Sequence, residues 1–544
     1  MIGGKAGEGV KKAGLTASRL FAGMGRQVFQ MDDYQSLIKG GHNFSVISTA
    51  TRNITSHYMK ADLVVALDKK SYDLHRDHVS PDGIFVYNSD VVKDGVGIGL
   101  PMTVEAKKYS NPELIIGLAG VSVLAAIMDN SEERFEEFIK AEYSRDVEEN
   151  LAYSKTIFKM ACENIEVRYD LESGDVARPI FTGNELIALG AAAGGLDVYV
   201  AYPMTPSSSI LHYLAAKVRD LGIAVVHPEN EIAVINMAIG SAYAGARSMV
   251  GSSGGGFALM EEALSLAGMS ETPILCVLSS RPGPSTGVPT YTSQGDLRFA
   301  LNQGHGEFSS IVASPGSMEE AFYLTAEMLD LVWKLQTVGI LLTEKHLSES
   351  TKTVEIDAEK TSWSDPLMHE SGEYKRYEIT ESGITPMLFP PSEEIIKWNS
   401  YDHDESGITT EEPGKVKIMR DKLVKKKETI IEHIKHMRTV NTFGSGSTRI
   451  FTYGSTTMSV LEAVAAADID ATVVQPVYLE PLPVWELDKY TNGGNAIVIE
   501  QSSMGQFETL LRDKMRIDDI QAIRRYDGLP FEPVELAEDI RRLL

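Results

Sequence analysis

Cysteine is nearly missing from this chain: of 544 residues only Cys162 and Cys276 carry thiols, and neither has a His or Cys neighbour at metal-ligand spacing. A zinc site or a four-thiolate iron–sulfur cluster therefore cannot be assembled from this chain alone. Cys276 lies in the apolar run Pro273–Leu278 and reads as a small buried hydrophobe. So few thiols fit a reducing compartment. Long apolar runs are missing too. The longest, Leu114 to Met128, has about 15 residues, short of the roughly 20 a membrane helix needs. No charged-then-apolar leader precedes Gly3, and the expectation is a cytoplasmic protein with no membrane partner. Positive charge is in deficit: 51 Lys and Arg stand against 76 Asp and Glu, a formal net charge of −25. Such a surface repels phosphate backbones and speaks against nucleic acid as a partner.

Named phosphate-binding motifs are also absent. Gly3-Gly4-Lys5-Ala6-Gly7-Glu8-Gly9-Val10 is a tight glycine turn before a helix-like segment, Lys11 to Gly25. A Walker loop requires Lys-Ser/Thr after its last glycine, where Val10-Lys11 stand, and the dinucleotide fingerprint requires glycine where Lys12 stands. Close packing of a helix on a strand is the expected role of these glycines. Only Met1 and Ile2 precede the turn, whereas a βα unit has a strand of about five residues there, so the natural start is expected upstream.

What is present reads as an α/β protein of three domains. Residues 1–172 form the first, with Ala61–Leu67 and Gly83–Tyr87 apolar enough for buried parallel strands. In it, His42 is either a ligand or base, or an ordinary hydrogen-bonded loop histidine; no second His lies nearby in sequence, which favours the latter. After the polar link Glu172–Asp175, residues 176–349 alternate strand and helix patterns, with strands expected at Asp197–Ala201, Ala224–His227, Ser248–Ser252, Pro273–Leu278 and Val338–Thr343. That alternation predicts a doubly wound parallel sheet. Residues 350–445 are a linker, expected to wrap a neighbouring surface, followed by a basic helix from Lys415 to Arg438 that should pair with acidic surfaces. The acidic Asp402-His403-Asp404-Glu405 cluster in the linker reads as a charged surface turn. Residues 446–544 are a last α/β domain with strands at Ser447–Tyr453, Asp470–Gln475 and Asn495–Glu500.

Four loop motifs in the middle domain each follow an apolar run: Tyr202-Pro203-Met204-Thr205-Pro206, Glu229-Asn230-Glu231-Ile232-Ala233, Ser253-Gly254-Gly255-Gly256-Phe257, and Arg281-Pro282-Gly283-Pro284-Ser285-Thr286-Gly287 with Gln294-Gly295-Asp296 beyond it. Loops placed after successive strands predict one site on the strand ends of a doubly wound sheet. Taken alone, Pro-Met-Thr-Pro reads as a plain turn, and Glu231 reads equally as a helix cap.

These motifs, in this order, resemble the α subunit of 2-oxoacid:ferredoxin oxidoreductases, in the arrangement where a γ domain is fused ahead of it. The family signatures Tyr-Pro-Ile-Thr-Pro, Ser-Gly-Pro-Gly-Phe and Arg-Gly-Gly-Pro-Ser-Thr-Gly each differ here by one residue. Gly3–Gly9 and Gly40-Gly41-His42 resemble the γ domain, and Glu500–Gln506 resembles the Glu-Gln-Asn-x-x-Gly-Gln of the final domain.

The resemblance implies a thiamine-pyrimidine-binding fold in the middle and a transketolase C-terminal-like domain last. It implies coenzyme-A-dependent oxidative decarboxylation of a 2-oxoacid, with electrons passed to ferredoxin. Thiamine diphosphate supplies the electron sink that no side chain can. Glu231 is then the catalytic acid at the aminopyrimidine, with Ile232, Ala233, Val234 and Ile235 expected as apolar walls. Gly254 and Gly256 would line the same cofactor. Arg281 would hold the substrate carboxylate by a two-pronged, charge-assisted bond. Thr205, Tyr202, Ser285 and Thr286 would complete the substrate pocket. No Gly-Asp-Gly…Asn motif for magnesium and diphosphate stands in the chain, which fits a β subunit that holds the diphosphate, Mg²⁺ and iron–sulfur clusters; no metal ligand is expected here. Where many relatives read Pro-Thr-Lys, this chain reads Pro289-Thr290-Tyr291, which puts recognition of a second carboxylate in doubt. The alternatives are a noncatalytic scaffold subunit and a self-sufficient transketolase-like enzyme.

Overall fold

The computed structural model describes every residue except 37–40, 129–130, 167, 492–494, 516 and 518–519. Gly40, and with it part of the Gly40-Gly41-His42 segment, lies outside the described residues. The chain forms two compact units. One comprises residues 1–181, 349–355 and 532–534, the other 182–348, 356–531 and 535–544.

The first unit is built on an eight-stranded sheet. Ile2–Lys5 runs parallel to Ala61–Ala66, which runs parallel to Val79–Asn88. On its other side Ile2–Lys5 is antiparallel to His42–Ala50, which is antiparallel in turn to Gln27–Tyr34. The expected parallel strands are therefore present within a mixed sheet, since the short connection from Tyr34 to His42 permits only an antiparallel return. In the glycine turn the Glu8 carboxylate folds back to accept the Lys5 backbone N–H at 2.9 Å. Burial pushes that carboxyl up, against the hydrogen bond from Lys5. A Cβ on Gly117 would lie 2.5 Å from the Glu8 carbonyl oxygen, so close packing around the turn excludes larger residues. His42 is not solitary in space. Its Nε2 lies 2.8 Å from His75 Nε2, and His75 Nδ1 lies 3.1 Å from His78 Nδ1; burial pushes His75 down to about 3. Among the described residues no group of three His, Cys, Asp or Glu side chains forms a metal site.

The second unit carries a seven-stranded and a five-stranded sheet. In the seven-stranded sheet the neighbours are, in order, Tyr478–Glu480, Ser310–Ala313, Val338–Glu344, Ile274–Ser280, Ser248–Ser252, Val198–Val200 and Ala224–Val226. All run parallel except Tyr478–Glu480, which pairs antiparallel with Ser310–Ala313. The inner strands Val338–Glu344, Ile274–Ser280 and Ser248–Ser252 are buried on both faces, as expected of parallel strands covered by helices, whereas the edge strand Ala224–Val226 is partly exposed. In the five-stranded sheet the order is Val440–Phe443, Ala471–Pro476, Thr448–Phe451, Ala496–Glu500 and Ile520–Arg524. Val250, Ile340, Phe451, Val498 and Phe507 belong to one apolar cluster, so the two sheets share a core.

The linker does wrap the seven-stranded sheet: Trp363 lies against Gly195 and Phe389 against Gly245, while buried Arg376 donates to the carbonyls of Ser270 and Glu271. The basic helix is Pro413–Lys435. Two of its lysines, Lys422 and Lys426, face inward onto the single buried carboxylate of Glu271, so the expected pairing with acidic groups is an internal one.

Glu344, at the end of its strand, is enclosed between the two sheets of this unit. Its Oε1 accepts from the Ser455 N–H at 2.6 Å and from Gln294 Nε2 at 3.3 Å. Burial pushes its carboxyl up to about 7, against those hydrogen bonds. A carboxyl raised above its unfolded value gives stability that is complete below about pH 4 and declines as the pH rises through 7. Thermal melts of the wild type are expected to fall between pH 5 and 8, and Glu344→Gln to flatten that fall. Parallel curves for the two proteins would remove Glu344 as its source.

Candidate active site

Five parallel strands deliver their carboxyl ends to one edge of the seven-stranded sheet. The register aligns Val226, Val200 and Val250, and further along Ser252 with Leu278 and Ser280 with Glu344. The four loop motifs leave from these ends, at the crevice where doubly wound sheets place ligands.

The first loop is pinned from beneath. Asn184 Nδ2 donates to the Pro206 carbonyl at 2.7 Å, and Ser207 Oγ to the Met204 carbonyl at 2.8 Å. Tyr202 is partly exposed and packs edge-on to His227. The Thr205 carbonyl accepts from Arg281 Nη1 at 2.8 Å, which ties the first loop to the fourth. Arg281 is half-buried; burial pushes its guanidinium down, and nearby Asp296 opposes that.

In the second loop Asn230, not Glu231, caps the helix Glu231–Tyr243: its side chain accepts the Ala233 N–H at 2.9 Å. The capping role that sequence left open for Glu231 is thus filled by its neighbour. Glu231 is buried, and its Oε1 has no hydrogen-bond partner among the described residues. A lone buried carboxyl oxygen is costly unless something outside the chain bonds it. Of the expected apolar walls, Val234 and Ile235 are buried, whereas Ile232 is exposed. Helical periodicity explains the difference, because positions three and four apart share a face and adjacent positions do not.

The third loop supplies the floor. A Cβ on Gly256 would sit 2.4 Å from Glu231 Oε1 and 2.1 Å from Ser252 Oγ, and one on Gly254 would sit 2.9 Å from Asp296 Oδ2. Ser253 Oγ is buried and has no partner among the described residues. Gly256→Ala is expected to push the Glu231 carboxyl aside and lower kcat/KM by about 10²-fold, the scale of a 1 Å misplacement. Gly255→Ala is the control, because its nearest neighbour would be 3.9 Å away. Equal losses in the two variants would mean the turn is merely fragile.

In the fourth loop the Val288 N–H donates to the Pro282 carbonyl at 3.0 Å, closing a tip that leaves Ser285 and Thr286 exposed. The Ser285 carbonyl faces Gly255. The fold therefore brings together Glu231 with Gly256, Thr205 with Arg281, and Gly254 with Asp296. Tyr202, Ser285 and Thr286 stand at the rim. Sequence reasoning placed Ser252, Ser253 and Asp296 within the loop motifs but gave them no role in the site; the available signal was polar residues immediately following apolar strands. Ile232, Met237, Leu259 and Val288 are exposed on the same loops and helices.

A carboxyl oxygen without a partner among the described residues, buried beside a glycine that admits no Cβ, fits the ring nitrogen of a flat heteroaromatic group such as the thiamine pyrimidine. Residues 189–423 match the family described as pyruvate flavodoxin/ferredoxin oxidoreductase, thiamine diP-bdg, and residues 1–160 match pyruvate ferredoxin/flavodoxin oxidoreductase. A Sulfolobus protein named 2-oxoacid:ferredoxin oxidoreductase subunit alpha is 28% identical over 100% of this chain and 96% of its own length. An Aeropyrum pernix protein named 2-oxoacid:ferredoxin oxidoreductase 2, subunit alpha, is 29% identical over 100% and 97%. Among solved structures, the 2-oxoglutarate:ferredoxin oxidoreductase of Magnetococcus marinus, with 2-oxoglutarate, coenzyme A and succinyl-CoA bound, is similar with a TM-score of 0.89 and 28% identity, covering 99% of this chain and 98% of that one.

Proposed function

Since this chain belongs to the 2-oxoacid:ferredoxin oxidoreductase family, we propose that it is the α subunit, fused behind a γ-type domain, of an enzyme converting a 2-oxoacid and coenzyme A to acyl-CoA and CO2. The two electrons released pass to ferredoxin. The observation that carries the reading is the buried, unpartnered Glu231 Oε1 over the glycine turn. Glu231 would hold the pyrimidine end of thiamine diphosphate, which when bound supplies the electron sink beside the substrate carbonyl. Gly254 and Gly256 let that group approach the backbone. Arg281, oriented by its bond to the Thr205 carbonyl, keeps further N–H donors for the substrate carboxylate. The Thr205 hydroxyl, Tyr202, Ser285 and Thr286 frame the entrance.

The diphosphate, Mg²⁺ and iron–sulfur clusters belong to a β partner in this reading, supported by the two-cysteine composition. The domain division at 172, 349 and 445 goes with the same proposal, and so does a cytoplasmic setting. Tyr291 packs on Gly528, where a Cβ would lie 2.6 Å from the ring, and puts no ammonium at the position that many relatives fill with lysine. Monocarboxylic 2-oxoacids such as pyruvate are therefore the proposed substrates.

The test is viologen reduction by the chain co-expressed with its candidate β subunit, given thiamine diphosphate, Mg²⁺ and coenzyme A, comparing pyruvate, 2-oxobutyrate and 2-oxoglutarate. Coenzyme-A-dependent reduction with pyruvate ahead of 2-oxoglutarate is the expected result. No turnover by a complex shown to hold its cofactors would leave the scaffold role instead. Turnover by the chain without a β subunit would identify a self-sufficient enzyme.

A further inference from the structure

The loop that begins at Arg281 returns to the floor of the site at Asp296. Asp296 Oδ2 accepts the Ser280 hydroxyl at 2.6 Å, and Ser280 is the last residue of the strand from which Arg281 leaves. The same oxygen would lie 2.9 Å from a Cβ on Gly254, the first glycine of the turn whose third bears on Glu231. Asp296 and Arg281 form no ion pair among the described residues; they feel each other's charge, and Ser280 is the hydrogen-bonded link between them. Burial pushes the Asp296 carboxyl up, against the Ser280 bond and the Arg281 charge. Tyr453, just beyond the strand Thr448–Phe451 of the five-stranded sheet, lies close enough to feel its charge.

Two residues back, Gln294 is buried and uses every polar atom of its side chain. Its Nε2 donates to Glu344 Oε1 at 3.3 Å and to the Tyr453 carbonyl at 2.8 Å. Its Oε1 accepts the Gln501 N–H at 2.8 Å and the Thr456 hydroxyl at 2.9 Å. The Gln294 N–H donates to the Gln501 carbonyl at 2.8 Å. Beyond Asp296 the grip continues: Gln506 Nε2 donates to the Gly295 carbonyl at 2.6 Å, and its Oε1 accepts the Arg298 N–H at 2.8 Å. Loops at the carboxyl ends of the five-stranded sheet thus hold the segment 294–298 on both sides of the aspartate.

We propose that Asp296 is a positioning residue for 2-oxoacid binding, anchored to the C-terminal sheet by Gln294, that fixes the strand end bearing Arg281 against the glycine turn beneath Glu231. The inference rests on the function proposed above. It gives the C-terminal α/β sheet a part in substrate affinity although none of its residues lies among the four motifs.

The experiment uses the αβ complex loaded with thiamine diphosphate and Mg²⁺, and reads KM and kcat for pyruvate together with thiamine diphosphate affinity by calorimetry. Asp296→Ala is expected to raise KM about tenfold, with kcat within about threefold and cofactor affinity unchanged. Asp296→Asn keeps an acceptor for Ser280 and should restore KM to within about threefold of wild type. Gln294→Ala should reproduce the KM rise without altering any group beside Arg281. An unchanged KM in Asp296→Ala overturns the proposal. So does a loss of kcat, cofactor affinity and melting temperature in step, unrelieved in Asp296→Asn, which would mark a purely structural residue. A failure of the functional reading would show separately, as a cofactor-loaded wild-type complex that turns over no 2-oxoacid, and would overturn both.

Discussion

Glu231→Gln is expected to lower turnover of the αβ complex by about 10²–10⁴-fold, the range that a positioned acid or base contributes. Glutamine keeps the shape and the two terminal heavy atoms of the side chain, so packing against Gly256 and Ser252 is retained. It cannot lend or take back a proton. The carboxyl is buried, Asn230 already performs the capping, and Oε1 has no partner among the described residues, so no structural duty competes with the proposed catalytic one. Melting temperature should be unchanged or slightly raised, because an amide is cheaper to bury than a carboxyl deprived of partners. Steady-state viologen assays and thermal melts on the same preparation separate the two effects. A variant with wild-type turnover would end the catalytic assignment of Glu231.

Glu271→Ala is expected to be the most damaging single change to stability, on the order of 3–5 kcal/mol, the cost of removing one partner from a buried ion cluster. Glu271 is buried with Lys426 Nζ at 2.6 Å, Lys422 also bonded to it, and the Arg376 guanidinium donating to its carbonyl. Burial opposes ionisation of the carboxylate, but Lys426, Lys422 and Arg376 outweigh it and hold the group far below its usual range. The stability it provides is therefore present above the ordinary carboxylate range and is lost only in strong acid. The lysines tell the other side: burial, ahead of their attraction to Glu271, pushes Lys426 down to about 8, because several cations share one anion. Removing a cation should accordingly cost less than removing the anion. Urea titrations of Glu271→Ala and Lys426→Met are expected to rank in that order, and the reverse ranking would show that the lysine's bond to the Gln336 carbonyl matters more than the charge balance.

The architecture was legible in the sequence wherever a strand was apolar throughout and ended in a polar or glycine-rich loop. Ser248–Ser252 is found at its expected bounds, Val338–Glu344 runs one residue beyond them, and Ile274–Ser280 begins one residue later and ends two residues later than expected. Ser310–Ala313 was missed because four residues after a polar stretch give no periodicity to read. Tyr478–Glu480 was missed because its sheet partner lies in a distant part of the chain, which no local pattern records. The site shows the same division. Glu231, Thr205 and Arg281 could be named from motifs, whereas the roles of Gln294 and Asp296 depend on loops of another sheet meeting them in space. His42 shows that sequence isolation is no guide to spatial isolation, since His75 approaches it from a separate helix.

The pairing of Tyr478–Glu480 with Ser310–Ala313 sets a schedule for biosynthesis. Until the later strand emerges from the ribosome, the middle sheet ends in an open edge of unpaired N–H and C=O groups. At about 5–20 residues per second, that edge waits on the order of ten seconds or more. Ser310–Ala313 is apolar and short, and short edges template aggregation poorly, so its brevity protects the nascent chain. A fragment ending in the basic helix would instead leave uncovered the apolar core that the two sheets share and should be recovered as aggregates, even though every motif of its candidate-site loops is intact.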